Sequence, residues 1–103
     1  MNEKEHLLAV FCQGVRYPQV SGFEVLELLD VRSTLARREE ELSEEKRKEL
    51  EEADAVFLTH VAQFYESVTQ VANLEEMCKQ AAVPPSHWWW YLEKLVRAER
   101  AAM

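Results

Sequence analysis

The chain has 103 residues, of which 48% are hydrophobic and 30% charged, with a formal net charge of −7. This balance indicates a soluble globular chain, and the length suits a single domain over residues 1–103. The negative charge argues against binding to nucleic acid or anionic membranes through the global field. No apolar run approaches the roughly 18 residues of a membrane span, and the charged start does not resemble a signal peptide, so we expect a cytoplasmic protein.

Glycine and proline are scarce, with two glycines and three prolines in the whole chain. None of them lies between residues 23 and 83, a span rich in good helix formers such as Leu, Ala, Glu and Lys. The sequence therefore predicts an all-α fold, a compact bundle of four to five helices.

The first two predicted helices follow the spacing of apolar residues. Helix one covers residues 3–15, where apolar side chains recur on one helical face. Helix two begins with a capping box, in which the side chains of Ser21 and Glu24 each bond to the other residue's backbone N–H. Its first turns are apolar nearly all round, because Phe23 and Leu26 lie opposite the main stripe, which predicts burial on more than one side.

Residues 37–54 carry charges of both signs and few large apolar side chains, a pattern typical of a charged hairpin tip or a solvated helix segment. Ser43, followed by two glutamates, suits the N-cap of a new helix, so we favour a turn near residues 42–44. The apolar stripe before this turn nevertheless stays in phase with the stripe after it. One very long central helix over residues 22–72, about 75 Å long at about 1.5 Å per residue, is therefore the alternative.

Three further helices are predicted beyond the charged segment. Helix three extends to about residue 72 along a narrow apolar stripe. Asn73 suits the N-cap of a short helix, and Pro85 suits the first turn of a last helix over residues 85–101. The last two helices would form a C-terminal hairpin over residues 74–101.

The segment LEEMCKQAAVPPSHWWWYL, residues 74–92, places small or apolar residues at Cys78, Ala82, Val83, Trp88 and Tyr91. This pattern resembles the helix-turn-helix hairpin of bacterial DNA-binding regulators. The resemblance implies two helices joined by a tight turn, the second of which would read DNA in the major groove.

The residues at the reading positions do not suit that role. A DNA reader carries Arg, Lys, Asn, Gln or Ser at the exposed start of its second helix, whereas this chain has Ser86, His87, Trp89 and Trp90 there. Acidic and basic residues also balance over residues 74–103. A DNA-binding transcription regulator is therefore the alternative function, and we do not expect nucleic acid as a partner.

The chain lacks the patterns of common catalytic and metal sites. No two histidines stand four residues apart, no glycine-rich phosphate loop occurs, and Cys12 and Cys78 lie far apart within apolar helical patterns. We predict no catalytic residues, no cofactor and no metal, and reduced thiols. A small-molecule binder or enzyme with a pocket of Trp, Tyr and His side chains is the third hypothesis.

Three consecutive tryptophans, Trp88 to Trp90, cannot all face one core on a helix, because successive side chains point about 100° apart. On a helix, Trp88 and Tyr91 continue the apolar stripe and face the core, while Trp89 and Trp90 lie on the flanks or outside. Each exposed indole forgoes up to about 5 kcal/mol at about 25 cal/mol per Å². Three explanations are open: the helix is central with neighbours on several sides, the two indoles are buried against a second copy of the chain, or they form a site for another protein or a ligand.

These features predict a small protein that acts by protein–protein association rather than by catalysis. It would form a homodimer or serve as a regulatory or adaptor module, with the C-terminal aromatic helix in the interface. The predicted interaction residues are His87, Trp89, Trp90, Lys94 and Arg97.

Overall fold

The structure, a computed structural model, describes residues 2–101, and this part of the chain is helical without strands. Six α-helices follow one another: α1 Glu3–Gly14, α2 Gly22–Arg37, α3 Glu44–Thr59, α4 Val61–Thr69, α5 Leu74–Gln80 and α6 Leu92–Ala101. Two single turns of 3₁₀-helix, Glu39–Glu41 and Trp88–Trp90, lie in the connections. The all-α prediction is confirmed, but four to five helices was too few.

The helices pack into a molecule of 35 × 31 × 24 Å. Helix α2 lies between α1 and α4, α4 also packs on α6, and α1 also packs on α3. The centre of the core is a set of contacting aromatic rings, in which Phe57 lies 6.4 Å from Phe11, 5.2 Å from Phe64 and 6.0 Å from Trp88 between ring centroids. These rings join α1, α3, α4 and the second 3₁₀ turn into one core.

Residues 22–72 form a hairpin, so the single long helix is not the observed structure. Helix α2 ends at Arg37, the chain turns through Glu39–Glu41, and Ser43 begins α3 by accepting a hydrogen bond from the backbone N–H of Lys46 at 3.2 Å. Arg47 fixes this turn, because its guanidinium donates to the carbonyl oxygens of Glu39 and Glu40. The turn lets α4 pack against α2, while α3 packs against α1.

The predicted third helix is interrupted at His60, where the backbone leaves helical geometry with φ −111° and ψ 13°. The N–H of His60 bonds to the carbonyl of Phe57, a tighter contact than the α-helical bond. Phe57 and Val61 are both buried, so α3 and α4 keep one continuous apolar face across the interruption.

The last helix begins at Leu92 and not near Pro85, which corrects the predicted span of residues 85–101. The backbone after Pro84 forms successive turns that are closed by hydrogen bonds between residues three positions apart. One of these bonds joins the N–H of His87 to the carbonyl of Pro84 at 2.9 Å. The prediction for Phe23 is also wrong: its side chain is 66% exposed, because the buried sides of α2 lie on other faces.

Gly22 is required by the close approach of α2 to α4. A Cβ at this position would lie 2.5 Å from the carbonyl oxygen of Ser67 and 2.5 Å from Cγ2 of Val71. A Cβ at Gly14 would instead meet only the end of the flexible Leu28 side chain, at 2.6 Å. The two glycines can therefore be compared by substitution, because Gly22 lies against the backbone of α4 and Gly14 lies against a movable side chain.

We expect Gly22→Ala to lower the free energy of unfolding by about 1–3 kcal/mol, because α2 must shift away from α4. Gly14→Ala should change it by less than about 1 kcal/mol in either direction, since the gain in helix propensity opposes a small movement of Leu28. Urea unfolding followed by far-UV circular dichroism measures both. Equal effects of the two substitutions would contradict the close contact at Gly22.

Candidate functional site

The three tryptophans form a single 3₁₀ turn between Pro85 and α6, and they divide differently from the helical prediction. Trp89 is 2% exposed and belongs to the core, whereas Trp88 and Trp90 are half-buried. The helical pattern placed Trp89 on a flank or outside, whereas the structure buries it in the protein's own core, which was one of the three explanations left open. The 3₁₀ geometry directs the Trp89 side chain towards α2, where it contacts polar groups.

The side chain of Ser33, on the buried face of α2, is the centre of a polar cluster. Its hydroxyl oxygen accepts hydrogen bonds from the indole Nε1–H of Trp89 at 3.0 Å and of Trp90 at 2.7 Å. The same oxygen lies 3.1 Å from Nδ1 of His87. We call Ser33, His87, Trp89 and Trp90 the Ser33 cluster.

Hydrogen-bond counting fixes the protonation of His87 in this cluster. The two indoles occupy both lone pairs of the Ser33 oxygen, so its own hydroxyl proton is the group left to bond His87. Nδ1 must then accept, and the ring proton of neutral His87 lies on Nε2. A serine nucleophile needs a free lone pair, and Ser33 has none in this arrangement.

A buried ion pair lies directly beneath the cluster. The guanidinium of Arg32, 5% exposed as a residue, donates from Nε and Nη2 to the two carboxylate oxygens of Asp54, each at 2.9 Å. Its Cζ lies 4.2 Å from the ring centroid of Trp89 and 5.9 Å from that of Phe11. The bidentate pair and the two rings together explain how a guanidinium is held inside this small core.

Lowering the pH is expected to destabilise the fold through His87. Burial is the main cause that lowers the pKa of His87, and the positive charges of Arg37 and Arg32 lower it further. The unfolded chain, with a histidine pKa of about 6.5, therefore binds more protons in acid than the folded chain. The stabilisation is complete above about pH 6.5 and is lost as the pH falls towards the folded pKa.

Urea unfolding at about pH 7.5 and about pH 5.5 measures this effect. The wild-type protein should lose more stability between the two values than the His87→Gln variant, which has no imidazole at this position. Equal losses in the two proteins would show that His87 is not held neutral by the fold.

Two clefts flank Trp90, one on each side of its contact with α5. The α5–α6 cleft, of about 310 Å³, is lined by Trp90, Tyr91, Lys94 and Arg97 together with residues of α5. The α2–α5 cleft, of about 500 Å³, lies on the other side and is lined by His87 and Trp90 among others. The Cys78 thiol, which donates to the Trp90 carbonyl at 3.7 Å, lies between them.

The predicted interaction residues are thus distributed over three environments. Lys94 and Arg97 line the α5–α6 cleft, His87 lines the α2–α5 cleft, Trp90 lines both, and Trp89 is in the core. The amino group of Lys94 lies 5.1 Å from the Tyr91 ring, and Arg97 forms an ion pair with Glu93 at 2.6 Å.

A third concave surface, the α1–α2 groove, was not predicted. It has a volume of about 560 Å³, and Tyr17, which is 62% exposed, and Val10, 41% exposed, lie in its lining. Its further lining residues are Gln13, Gly14, Val20, Glu24, Glu27, Leu28, Asp30 and Val31. The sequence signal for it was present but weak: Val10 lies away from the main stripe of helix one, and Tyr17 lies in the connection.

The segment that resembles a helix-turn-helix hairpin has a different geometry. Helices α5 and α6 are separated by residues 81–91, which include a 3₁₀ turn, and not by a tight turn. Ala82, at the predicted turn, has a positive φ of 50°, and the hydroxyl of Tyr91 donates to the carbonyl of Val83. The residues that would read bases therefore lie before the last helix, and Trp89 among them is buried.

The described residues also bear on metals, thiols and membranes. Within residues 2–101 no group of three or more His, Cys, Asp or Glu side chains is arranged to hold a metal ion. Cys12 is half-buried and Cys78 buried, both are free thiols, and burial is the main cause that raises the pKa of each. None of the helices in this range has the length and apolar character needed to cross a membrane.

Comparison of the chain with protein-family models, with curated proteins and with solved structures finds no match.

Proposed function

We propose that the protein is a non-catalytic association module whose α1–α2 groove binds a basic amphipathic helix of another protein. One observation carries the proposal: an apolar groove with an exposed aromatic ring has three charged residues in its lining, Glu24, Glu27 and Asp30, and all three are acidic. Exposed apolar surface of this kind marks interaction sites, and its charge selects the partner.

The dimensions of the groove suit a helix. Along α2 the lining runs from Glu24 to Val31, about 10 Å or two helical turns at about 1.5 Å per residue. An amphipathic helix places apolar side chains at spacings of three and four residues, which match such a groove. Its lysines or arginines would face the acidic rim, and the protein's net charge of −7 would accelerate the encounter.

The predicted homodimer through the C-terminal aromatic segment has lost its main support. It depended on two uncovered indoles, and Trp89 is covered by the protein's own core, with its Nε1–H bonded to Ser33. Self-association is therefore tested at the groove, where the side chains of Val10 and Tyr17 are exposed.

The test uses a labelled synthetic peptide of about four helical turns, with Leu on one face and Lys or Arg on the other, and follows fluorescence anisotropy. We expect micromolar binding that weakens as salt is added. Replacing both Glu27 and Asp30 by Lys should weaken it at least about tenfold, since rim charges then repel the peptide. Tyr17→Ser should also weaken it, through lost apolar contact.

A matched control separates the groove from overall charge. Glu51 and Glu66 are exposed on α3 and α4 and line none of the three clefts and grooves described above, so Glu51→Lys with Glu66→Lys changes the net charge equally. Equal weakening by both pairs would contradict the proposal. If sedimentation shows that the protein is a dimer and that Tyr17→Ser abolishes the dimer, the partner of the groove is a second copy of this chain and not a helix of another protein.

A further inference from the structure

We propose that the α2–α5 cleft is a binding site for a small apolar monocarboxylate, whose carboxylate is held between Arg37 and the Nε2–H of His87. Asp30 lines both this cleft and the α1–α2 groove, but the other lining residues of the two surfaces differ, and the inference does not depend on the proposed function of the groove. The cleft has a volume of about 500 Å³, within the range of about 300–1,000 Å³ that is typical of small-molecule sites.

The first donor to the ligand comes from the Ser33 cluster. Because Nδ1 of His87 accepts the Ser33 hydroxyl proton, the ring presents an N–H at Nε2. His87 is half-buried, lines the cleft, and is held in place by stacking on Trp89 at 4.7 Å and 25°. The cluster therefore holds His87, with its N–H at Nε2, in a fixed orientation in the lining of the cleft.

The second donor is the guanidinium of Arg37, in the last turn of α2. Arg37 lines the cleft, and it has neither an ion pair nor a side-chain hydrogen bond with any residue in the range 2–101. Burial is the main cause that lowers the pKa of His87, and the charge of Arg37, which lines the same cleft, lowers it further. An unpaired guanidinium next to an oriented N–H is suited to a carboxylate.

The opposite wall of the cleft is apolar and determines the rest of the ligand. It is formed by α5 and the connection that follows, with Met77, Ala81, Val83 and Pro84 in the lining, beside the Trp90 ring. Met77 is more than one-third exposed, so part of this wall is uncovered. These side chains offer contact to a hydrocarbon chain or an aromatic ring and no further donor.

Asp30 restricts the ligand to one carboxylate. It lines the same cleft seven residues before Arg37 on α2, about 10 Å away along the helix axis at about 1.5 Å per residue. A second carboxylate at the far end of an extended ligand would therefore approach a negative charge. The cleft should discriminate between a monoacid and a diacid of equal length.

Octanoate and suberate are such a pair, and NMR titration of the ¹⁵N-labelled full chain compares them. Octanoate should shift the His87 ring and the Trp90 indole resonances in a saturable manner, and suberate should bind at least about tenfold more weakly. Arg37→Gln should weaken octanoate binding at least about tenfold. Met77→Glu, which adds a negative charge to the apolar wall, should weaken it as well.

Arg97→Gln is the control, because this residue lines only the α5–α6 cleft of the two beside Trp90. All three substituted side chains are exposed, so the variants should fold, as their circular dichroism spectra will show. Equal binding of octanoate and suberate, or full octanoate binding by Arg37→Gln, overturns the proposal. Weakening by Arg97→Gln alone overturns it too, since the ligand then occupies the other cleft. None of these outcomes depends on peptide binding to the α1–α2 groove.

Discussion

Asp54→Ala should lower the free energy of unfolding by about 3 kcal/mol, among the largest effects of any single substitution in this chain. The change leaves the guanidinium of Arg32 in the core without its carboxylate. Arginine side chains are not deprotonated in proteins, so the uncompensated charge persists in the folded protein. The aromatic faces of Trp89 and Phe11 offset part of this cost but do not replace two hydrogen bonds.

Urea unfolding of Asp54→Ala and of the double variant Arg32→Met with Asp54→Leu tests this explanation. The double variant removes both charges and keeps apolar volume between the two rings, so it should recover most of the lost stability. Glu51→Ala, which removes an exposed carboxylate from the same helix, should change stability by less than about 0.5 kcal/mol. If the double variant is as unstable as Asp54→Ala, the cost arises from packing and not from an unpaired charge.

Ser33→Ala should lower the free energy of unfolding by about 2–5 kcal/mol, although it removes only one oxygen atom. Two indole N–H donors and one imidazole nitrogen lose the same partner at once. Each buried polar group left without a hydrogen bond costs about 1–3 kcal/mol. The half-buried side chains of Trp90 and His87 can replace part of the lost hydrogen bonding with bonds to water, which is why the expected loss of stability is given as a range.

Thr34→Ala is the matched control, because it removes a hydroxyl from the adjacent position on α2. That hydroxyl donates to the carbonyl of Asp30 at 3.1 Å, on the solvent side of the helix, and its loss should cost less than about 1 kcal/mol. Indole N–H exchange, followed by NMR, gives a second readout: in Ser33→Ala the Trp89 signal should exchange faster. Unchanged exchange with unchanged stability would show that the Ser33 cluster does not hold the tryptophan turn.

Features that depend on neighbouring residues could be predicted from the sequence. The capping box of α2 is one of them: the Glu24 N–H donates to Ser21 at 3.2 Å, and the Ser21 N–H donates to Glu24 at 3.3 Å. The cap at Ser43 and the buried stripe through Phe57 and Phe64 follow from the same short-range patterns. These patterns need only the geometry of one helix.

The tryptophan run could not be predicted in this way, because its conformation depends on distant residues. An α-helix turns about 100° per residue, whereas the hydrogen bonds to Ser33, more than 50 positions earlier, accompany a 3₁₀ turn. The sequence around Ser33 and Arg32 contains no local pattern that predicts their contact with indole side chains. The α1–α2 groove was missed for a related reason, since it exists only once two helices are packed together.

The Ser33 cluster also has a consequence for the order in which the protein can fold during synthesis. It connects a residue near the end of the first third of the chain to residues 87–90, so α2 leaves the ribosome long before the groups that bond it exist. Until residue 90 is translated and released, Ser33 and the face of Arg32 under Trp89 remain uncovered. The nascent helices can form early, but the part of the core around Trp89 can close only after the tryptophan turn has been made.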